Sequence, residues 1–264
     1  MGSATRVALE EAEARLASLA SGVDLATGEE LFAAGRVIGD SAQLRGALSD
    51  PAIDGSAKTA LVRRLFGGFG SSSLELLSTI VSSRWSTQSE FLGGIEEIGI
   101  RAVAASAPSS AAIDAELFEF GRAVASDAGL ELALGSKLGA TDQKLALVDR
   151  LLRGKASEQT VAIVRQLIGS PRGRRVGELL RYASTVVADQ AGSLVATVSS
   201  AVPLSEAQLS RLEGVLASQY GRPVRSNAVV DPRVIGGIRI RIGDDVIDGS
   251  VATRLNDLRL QLAG

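Results

Sequence analysis

Residues 230–250 read VDPRVIGGIRIRIGDDVIDGS, and the alternation at their centre sets the fold of the carboxy-terminal part of the chain. Ile238, Ile240 and Ile242 alternate with Arg239 and Arg241. That is the period of a strand with one face buried and basic groups in water on the other. Gly243-Asp244-Asp245 has turn chemistry and Val246-Ile247 begin a return strand, so the centre is a β-hairpin. Gly236-Gly237 can bend the strand entry or let another backbone approach closely. Asp231-Pro232 initiates a turn, and Asp248-Gly249-Ser250 breaks the second strand and caps a last helix. Val251, Leu255, Leu258 and Leu262 share one face of that helix.

Working outward, Ser193–Ala201 (SLVATVSSA) alternates like a strand. Ser205 and Gln208 have capping-box spacing ahead of a helix with Leu209, Leu212 and Leu216 on one face. Gly221 is placed to end it, and Pro223–Val230 (PVRSNAVV) is a second strand. The segment between the two strands is long enough for a crossover, so they can form a parallel βαβ pair. Residues 192–264 are therefore expected to be a small α/β domain.

The rest of the chain reads as helix, and it repeats. EELFAAGRVIGDSAQLRGAL from Glu29 resembles AELFEFGRAVASDAGLELAL from Ala115. Glu30, Leu31, Phe32, Gly35 and Arg36 match Glu116, Leu117, Phe118, Gly121 and Arg122, an offset of 116 − 30 = 86 residues. Leu44, Leu48, Lys58, Leu61, Arg64 and Leu65 continue the match onto Leu130, Leu134, Lys144, Leu147, Arg150 and Leu151. After one inserted residue, LLSTIVSS from Leu76 meets IVRQLIGS from Ile163. A period this long indicates a duplicated small domain and not a solenoid repeat. The copies are expected at 1–90 and 91–188, each a bundle of short helices. Leu9, Ala12, Leu16 and Leu19 form the apolar stripe of the first helix, and Thr141 precedes a helix whose face carries Leu145, Val148, Leu151 and Leu152. Gly-, Ser-, Pro- and Asp-rich connections at 49–56, 67–73, 106–110 and 169–173 separate helices. The expected fold class is mostly α: tandem helical-bundle units followed by a small α/β domain.

Composition excludes much chemistry. Hydrophobic residues make up 45% of the 264 but aromatics only 3%, so the core is Leu, Val, Ile and Ala. There is no Cys and no His, which removes disulfides, thiolate chemistry, the Ser-His-Asp triad and nearly all zinc sites. Carboxylate-only, lysine or Mg-assisted chemistry survives that exclusion, but with no site read for any of them, no metal or cofactor is expected. The net charge of −2 argues against global attraction to nucleic acid or anionic lipid. No apolar stretch is long enough to span a membrane, and MGSATRVALEEAEARL lacks the plan of a signal peptide, so a soluble cytoplasmic protein is expected.

The charged residues admit three chemical readings. Catalytic carboxylates need a pocket and shifted pKa values, whereas Asp244 and Asp245 are adjacent in a turn and should be solvated. GGIRIR lacks the GxGxxG spacing and runs on as a strand instead of opening a helix, and Gly154-Lys155 lacks the rest of a P-loop. Arg150, Arg153, Lys155, Arg165, Arg172, Arg174, Arg175 and Arg181 form a basic segment holding only Glu158 and Glu178 as acids. It can be a solvated face, or a contact for RNA or an acidic protein. Tyr182 is the lone nearby aromatic, which favours the acidic protein over RNA. Trp85, the single Trp, is read as core.

VVDPRVIGGIRIRIGDDVIDGSVATRLNDLRLQL closely resembles the carboxy-terminal signature of the delta subunits of F-type ATP synthases, the family of the oligomycin-sensitivity-conferring protein. The matching positions are Val230, Asp231, Val234, Gly236, Gly237, Ile238, Ile240, Gly243, Asp248, Gly249 and Ser250. TVSSAVPLSEAQLSRL is similar to the family's strand-to-helix entry, and 115–190 resembles its helical bundle more loosely. An ordinary member has one helical bundle, and this chain carries about one more. The resemblance implies a peripheral stator subunit with no catalytic role. Its helical part would hold N-terminal helices of the alpha subunits and its small domain the b-type stalk. It would lie on the cytoplasmic face of the cell membrane, associated indirectly, with no nucleic acid bound.

Overall fold

A computed structural model describes residues 1–19, 22–108, 110–136, 139–249 and 251. Among them are twelve helices and a four-stranded sheet near the carboxy terminus. The chain divides into two compact units, Met1–Val187 and Ala188–Gly264.

The first unit is helical. Its elements are α1 (Ser3–Ser18), α2 (Leu25–Asp40), α3 (Ala42–Ser49), α4 (Gly55–Leu65), α5 (Ser71–Ser82), α6 (Gln88–Ala105), α7 (Ser110–Ser126), α8 (Ala128–Gly135), α9 (Thr141–Leu152), α10 (Glu158–Gly169) and α11 (Val176–Gln190), whose last three residues belong to the second unit. Short polar side chains start most of them. The Asp24, Ser41, Asp54, Thr87, Asp127 and Ser157 side chains each accept a backbone N–H of the first turn that has no intrahelical partner. Thr141 is itself the first residue of α9, behind an Ala140 N-cap that offers no side-chain bond.

The sequence repeat is also a repeat of structure. Helix α3 maps onto α8 end for end at the 86-residue offset, and α5 onto α10 at 87. Buried residues follow the same spacing. Leu31, Ile38, Leu48 and Val62 of one core lie 86 residues before Leu117, Val124, Leu134 and Val148 of another. Leu76, Leu77, Ile80 and Val81 lie 87 before Ile163, Val164, Leu167 and Ile168. Only about three or four residues in two turns of an amphipathic helix face the core, so matching the buried positions is a stronger test than matching letters.

Helix α6 serves both cores. Its Phe91, Ile95, Ile98 and Ala102 belong to the first, and its Ile100, Val103 and Ala104 to the second. From Gly94 to Ala104 every α6 residue is buried, the charged Glu96, Glu97 and Arg101 included. The expected division at 90–91 falls inside this helix. Helix α2 lies unusually close to it. A Cβ on Gly28 would sit 2.3 Å from Val103 Cγ2 and 2.9 Å from the Gly99 carbonyl oxygen, and one on Gly99 would sit 2.5 Å from Phe32 Cε1. Phe32 thereby passes from the first copy into the second copy's core. Trp85 is core, as expected: its Nε1 donates to the Ile80 carbonyl at 2.7 Å and its ring meets Phe91 edge-on.

The second unit contains β1 (Leu194–Ser200), α12 (Glu206–Tyr220), β2 (Val224–Val230), β3 (Ile238–Ile242) and β4 (Asp245–Asp248). The sheet order is β2-β1-β3-β4. Strands β1 and β2 are parallel, with Leu194 opposite Val224, and α12 is their crossover. The hairpin β3–β4 pairs antiparallel with β1, with Ile240 between Val198 and Ile247. The Ser205/Gln208 capping box is formed in both directions, and Gly221 ends α12 at φ 68°. Ala196, Val198, Val224, Ile240 and Ile242 line the sheet face on which Leu216 packs, with Leu212 and Tyr220 at its margin.

Candidate functional site

The residues singled out at 230–250 close one end of the small sheet. Val230 ends β2 opposite Ser200 and is exposed. The Asp231 amide donates to the Ser200 carbonyl at 2.8 Å, and its carboxylate accepts the Arg233 amide, Nε and Nη2, each at 3.0 Å. The side-chain bonds from Arg233, followed by its amide, hold the Asp231 carboxyl below the usual range. The Val234 amide donates to the Asp231 carbonyl, completing the turn. Gly236 and Gly237 then take φ 67° and 74°, which only glycine adopts freely. A Cβ on Gly236 would stand 2.8 Å from Val251 Cγ2, and the Val251 amide lies 3.2–3.3 Å from the Ile235 and Gly236 carbonyls. The Gly249 amide donates to the Ile238 carbonyl at 3.0 Å. The pair of glycines therefore lets the chain that leaves β4 fasten onto the chain that enters β3.

Ile240 is buried against α12 and Ile238 partly so. Gly243 turns the hairpin at φ 57°. Asp248 faces Arg239 across the strands at 3.5 Å. Ser250, and the terminal helix expected beyond Val251, lie outside the described residues. The four aspartates have different surroundings. Asp231 holds a turn, Asp248 pairs across a hairpin, Asp244 is exposed at its tip, and Asp245 accepts the Tyr220 hydroxyl at 3.3 Å. These are structural arrangements. Among the described residues no group of three or more His, Cys, Asp or Glu side chains could hold a metal ion.

Two surfaces of this unit stand out. Strand alternation puts Arg225, Arg239 and Arg241 on the face away from α12. Arg225 Nη1 is buried there with no acceptor among the described residues. At the end where the signature closes the sheet, Val202, Val230, Ile235 and Val251 are all exposed, at 46–66%. Single exposed aliphatics are ordinary, but four at one end of one small sheet form a patch.

Three of the eight basic residues of segment 150–181 pair with acids outside it. Arg165 pairs with Asp149. Arg172 and Arg174 both reach the Glu96 carboxylate, 2.7 Å each, and Glu96 is 3% exposed. Arg174 also lies over the Tyr182 ring, whose hydroxyl donates to Glu97 at 2.9 Å. Arg101 joins Glu97 at 3.0 Å to Glu13 of α1 at 2.8 Å. This chain of charges ties α1 through α6 to α11 and was not read from the sequence. Its only signal there is a run of charged residues within an otherwise apolar helix.

Residues 100–262 match the family model described as ATP synthase delta (OSCP) subunit, which thus begins inside α6. Among curated relatives, the ATP synthase subunit delta of Leifsonia xyli subsp. xyli is 57% identical over 264 residues, 100% of both chains. That of Kineococcus radiotolerans is 43% identical over 242 residues, 90% of this chain and 88% of the relative. A chain in the solved Toxoplasma gondii mitochondrial ATP synthase hexamer is similar over 64% of this chain and 95% of that one, at 24% identity and a TM-score of 0.41.

Proposed function

Because the chain belongs to the ATP synthase delta (OSCP) subunit family, we propose that it is a stator subunit without chemistry of its own. It joins the catalytic head, through N-terminal helices of the alpha subunits, to the b-type stalk. In that position it keeps the head from turning with the rotor. The observation that carries this reading is identity with a delta subunit along the whole length, first helical copy included.

The geometry supports a part that holds rather than reacts. Every signature residue described is occupied in turns, strand pairing or packing. Helix grooves and adjoining apolar faces suffice for static coupling. The exposed Val202, Val230, Ile235 and Val251 suit the stalk contact, with Asp231, Val234, Gly236, Gly237, Ile238, Ile240, Gly243, Asp248 and Gly249 shaping the end that presents them. Among the described residues no helix is long and apolar enough to cross a membrane. Attachment at the cytoplasmic face is then through the stalk. The matched cores and helix ends support a duplication of the helical bundle at 1–90 and 91–188.

The test is affinity purification of the tagged full-length chain from solubilised membranes, with partners identified by mass spectrometry. Alpha, beta and stalk subunits are expected with the wild-type chain. Val230→Asp with Ile235→Asp, at exposed positions, is expected to lose the stalk and keep alpha. A wild-type chain that recovered neither head nor stalk would overturn the reading.

A further inference from the structure

The two helical copies enclose a cleft of about 350 Å³ between α2, α6 and α10. Leu31, Phe32, Leu92 and Ile95 contribute its apolar lining, and Arg36, Arg45 and Arg172 contribute guanidinium groups. Asp40 and Glu96 are the acids that line it. Glu96 is already shared by Arg172 and by Arg174, so of the two lining acids Asp40 alone is left to face Arg36 and Arg45. Arg45 donates to neutral oxygens, the Gly39 carbonyl and the Gln88 side chain. Arg36 donates to the neutral Gln166 amide.

From this juxtaposition of three arginines over an apolar base we propose that the cleft is an anion site, taking a phosphate-type oxyanion. Guanidinium forks match phosphate and carboxylate oxygens alike, and several cations together favour the more highly charged group. A helix, about 10 Å across, does not fit a space of this size, which is at the lower end for small-molecule sites. Burial and then the neighbouring charge of Arg165 lower the Arg36 pKa, and the Asp40 and Glu29 carboxylates offset only part of this. Two further features mark the place. Arg172 holds φ 47°, a strained conformation for a residue with a side chain. The offset-86 counterpart of Arg45 is Glu131, so the charge is not a property of the repeat.

Isothermal titration of the full-length chain with inorganic pyrophosphate, ADP and adenosine at fixed ionic strength tests this. Pyrophosphate is expected to bind, and Arg36→Gln with Arg45→Gln to weaken it at least tenfold. Arg172→Gly removes one cation while relieving its backbone, so it keeps the fold and should also weaken binding. Arg122→Gln, the exposed counterpart of Arg36, should leave it unchanged. ADP binding tighter than pyrophosphate assigns the apolar base to the body of the ligand, and equal binding assigns the site to the anion alone. Absence of pyrophosphate binding, adenosine binding as well as ADP, or equal affinity in wild type and Arg172→Gly would overturn the proposal.

Discussion

Glu30 and Glu116, 86 residues apart, make the same bond: the first accepts the Gly70 amide at 2.9 Å and the second the Ser157 amide at 3.0 Å. Each acceptor faces the N-cap residue of the helix that completes its copy, α5 or α10. A carboxylate there satisfies an amide with no helical partner and complements the helix dipole. Glu116 also takes the Ser157 and Thr160 hydroxyls. Glu116→Ala should therefore cost about 1–3 kcal/mol and Glu30→Ala less, read from urea midpoints at unchanged m-value. Equal effects would mean that the hydroxyl bonds contribute nothing.

Glycines within helices give a paired prediction. Gly28→Ala places a methyl against a backbone oxygen that cannot step aside. It should destabilise by about 1–3 kcal/mol despite the better helix propensity of Ala. Gly46, inside α3, has nothing within 4 Å of its would-be Cβ. Gly46→Ala should stabilise by about 0.5–1 kcal/mol. Thermal melts of the two variants check both signs.

Breaking the Glu96 cluster should be expensive. Glu96→Gln leaves Arg172 and Arg174 facing a neutral amide in a site where the acid is almost wholly buried. A loss of about 3 kcal/mol is expected, with the helix content of the native state retained by circular dichroism. A loss below about 1 kcal/mol would show that solvent supports the arginines unaided.

Burial, followed by the Glu97 charge, pushes the Tyr182 phenol well above the ordinary tyrosine range. The folded state keeps a proton that the unfolded chain gives up near pH 10. The stability linked to it is thus whole below that pH and lost as pH rises beyond it. In ultraviolet titration one of the two tyrosines, Tyr220, should ionise before unfolding, and Tyr182 only with it. Tyr182→Phe should flatten the alkaline fall in stability.

Trp85, the lone tryptophan, reports on the first core. Since α6 belongs to both cores, its fluorescence should change in the same urea transition as the helical circular dichroism. Two separated transitions would show that each copy folds alone.

The small unit was legible because its signals are local. The Ser205/Gln208 box, Gly221 and the isoleucine alternation each work within a few residues, and each has its expected place. The 86-residue spacing of buried letters such as Leu48 and Leu134 was legible, because packing holds such positions in register. Long-range electrostatics was not. Arg172 and Arg174 looked like part of a free basic face because their acid, Glu96, lies 76 and 78 residues earlier. Nor does periodicity reveal that α6 has two masters. A mainly apolar helix with a few charges announces burial without saying how many cores it enters.

That double allegiance bears on mechanics. A second bundle tethered by a linker would add length together with a swivel, and a part that resists torque gains nothing from a swivel. With α6 common to both copies, the added copy is spliced in like a scarf joint in timber, where the two pieces overlap along their grain. Between the two helical cores there is a shared helix where a linker would otherwise run.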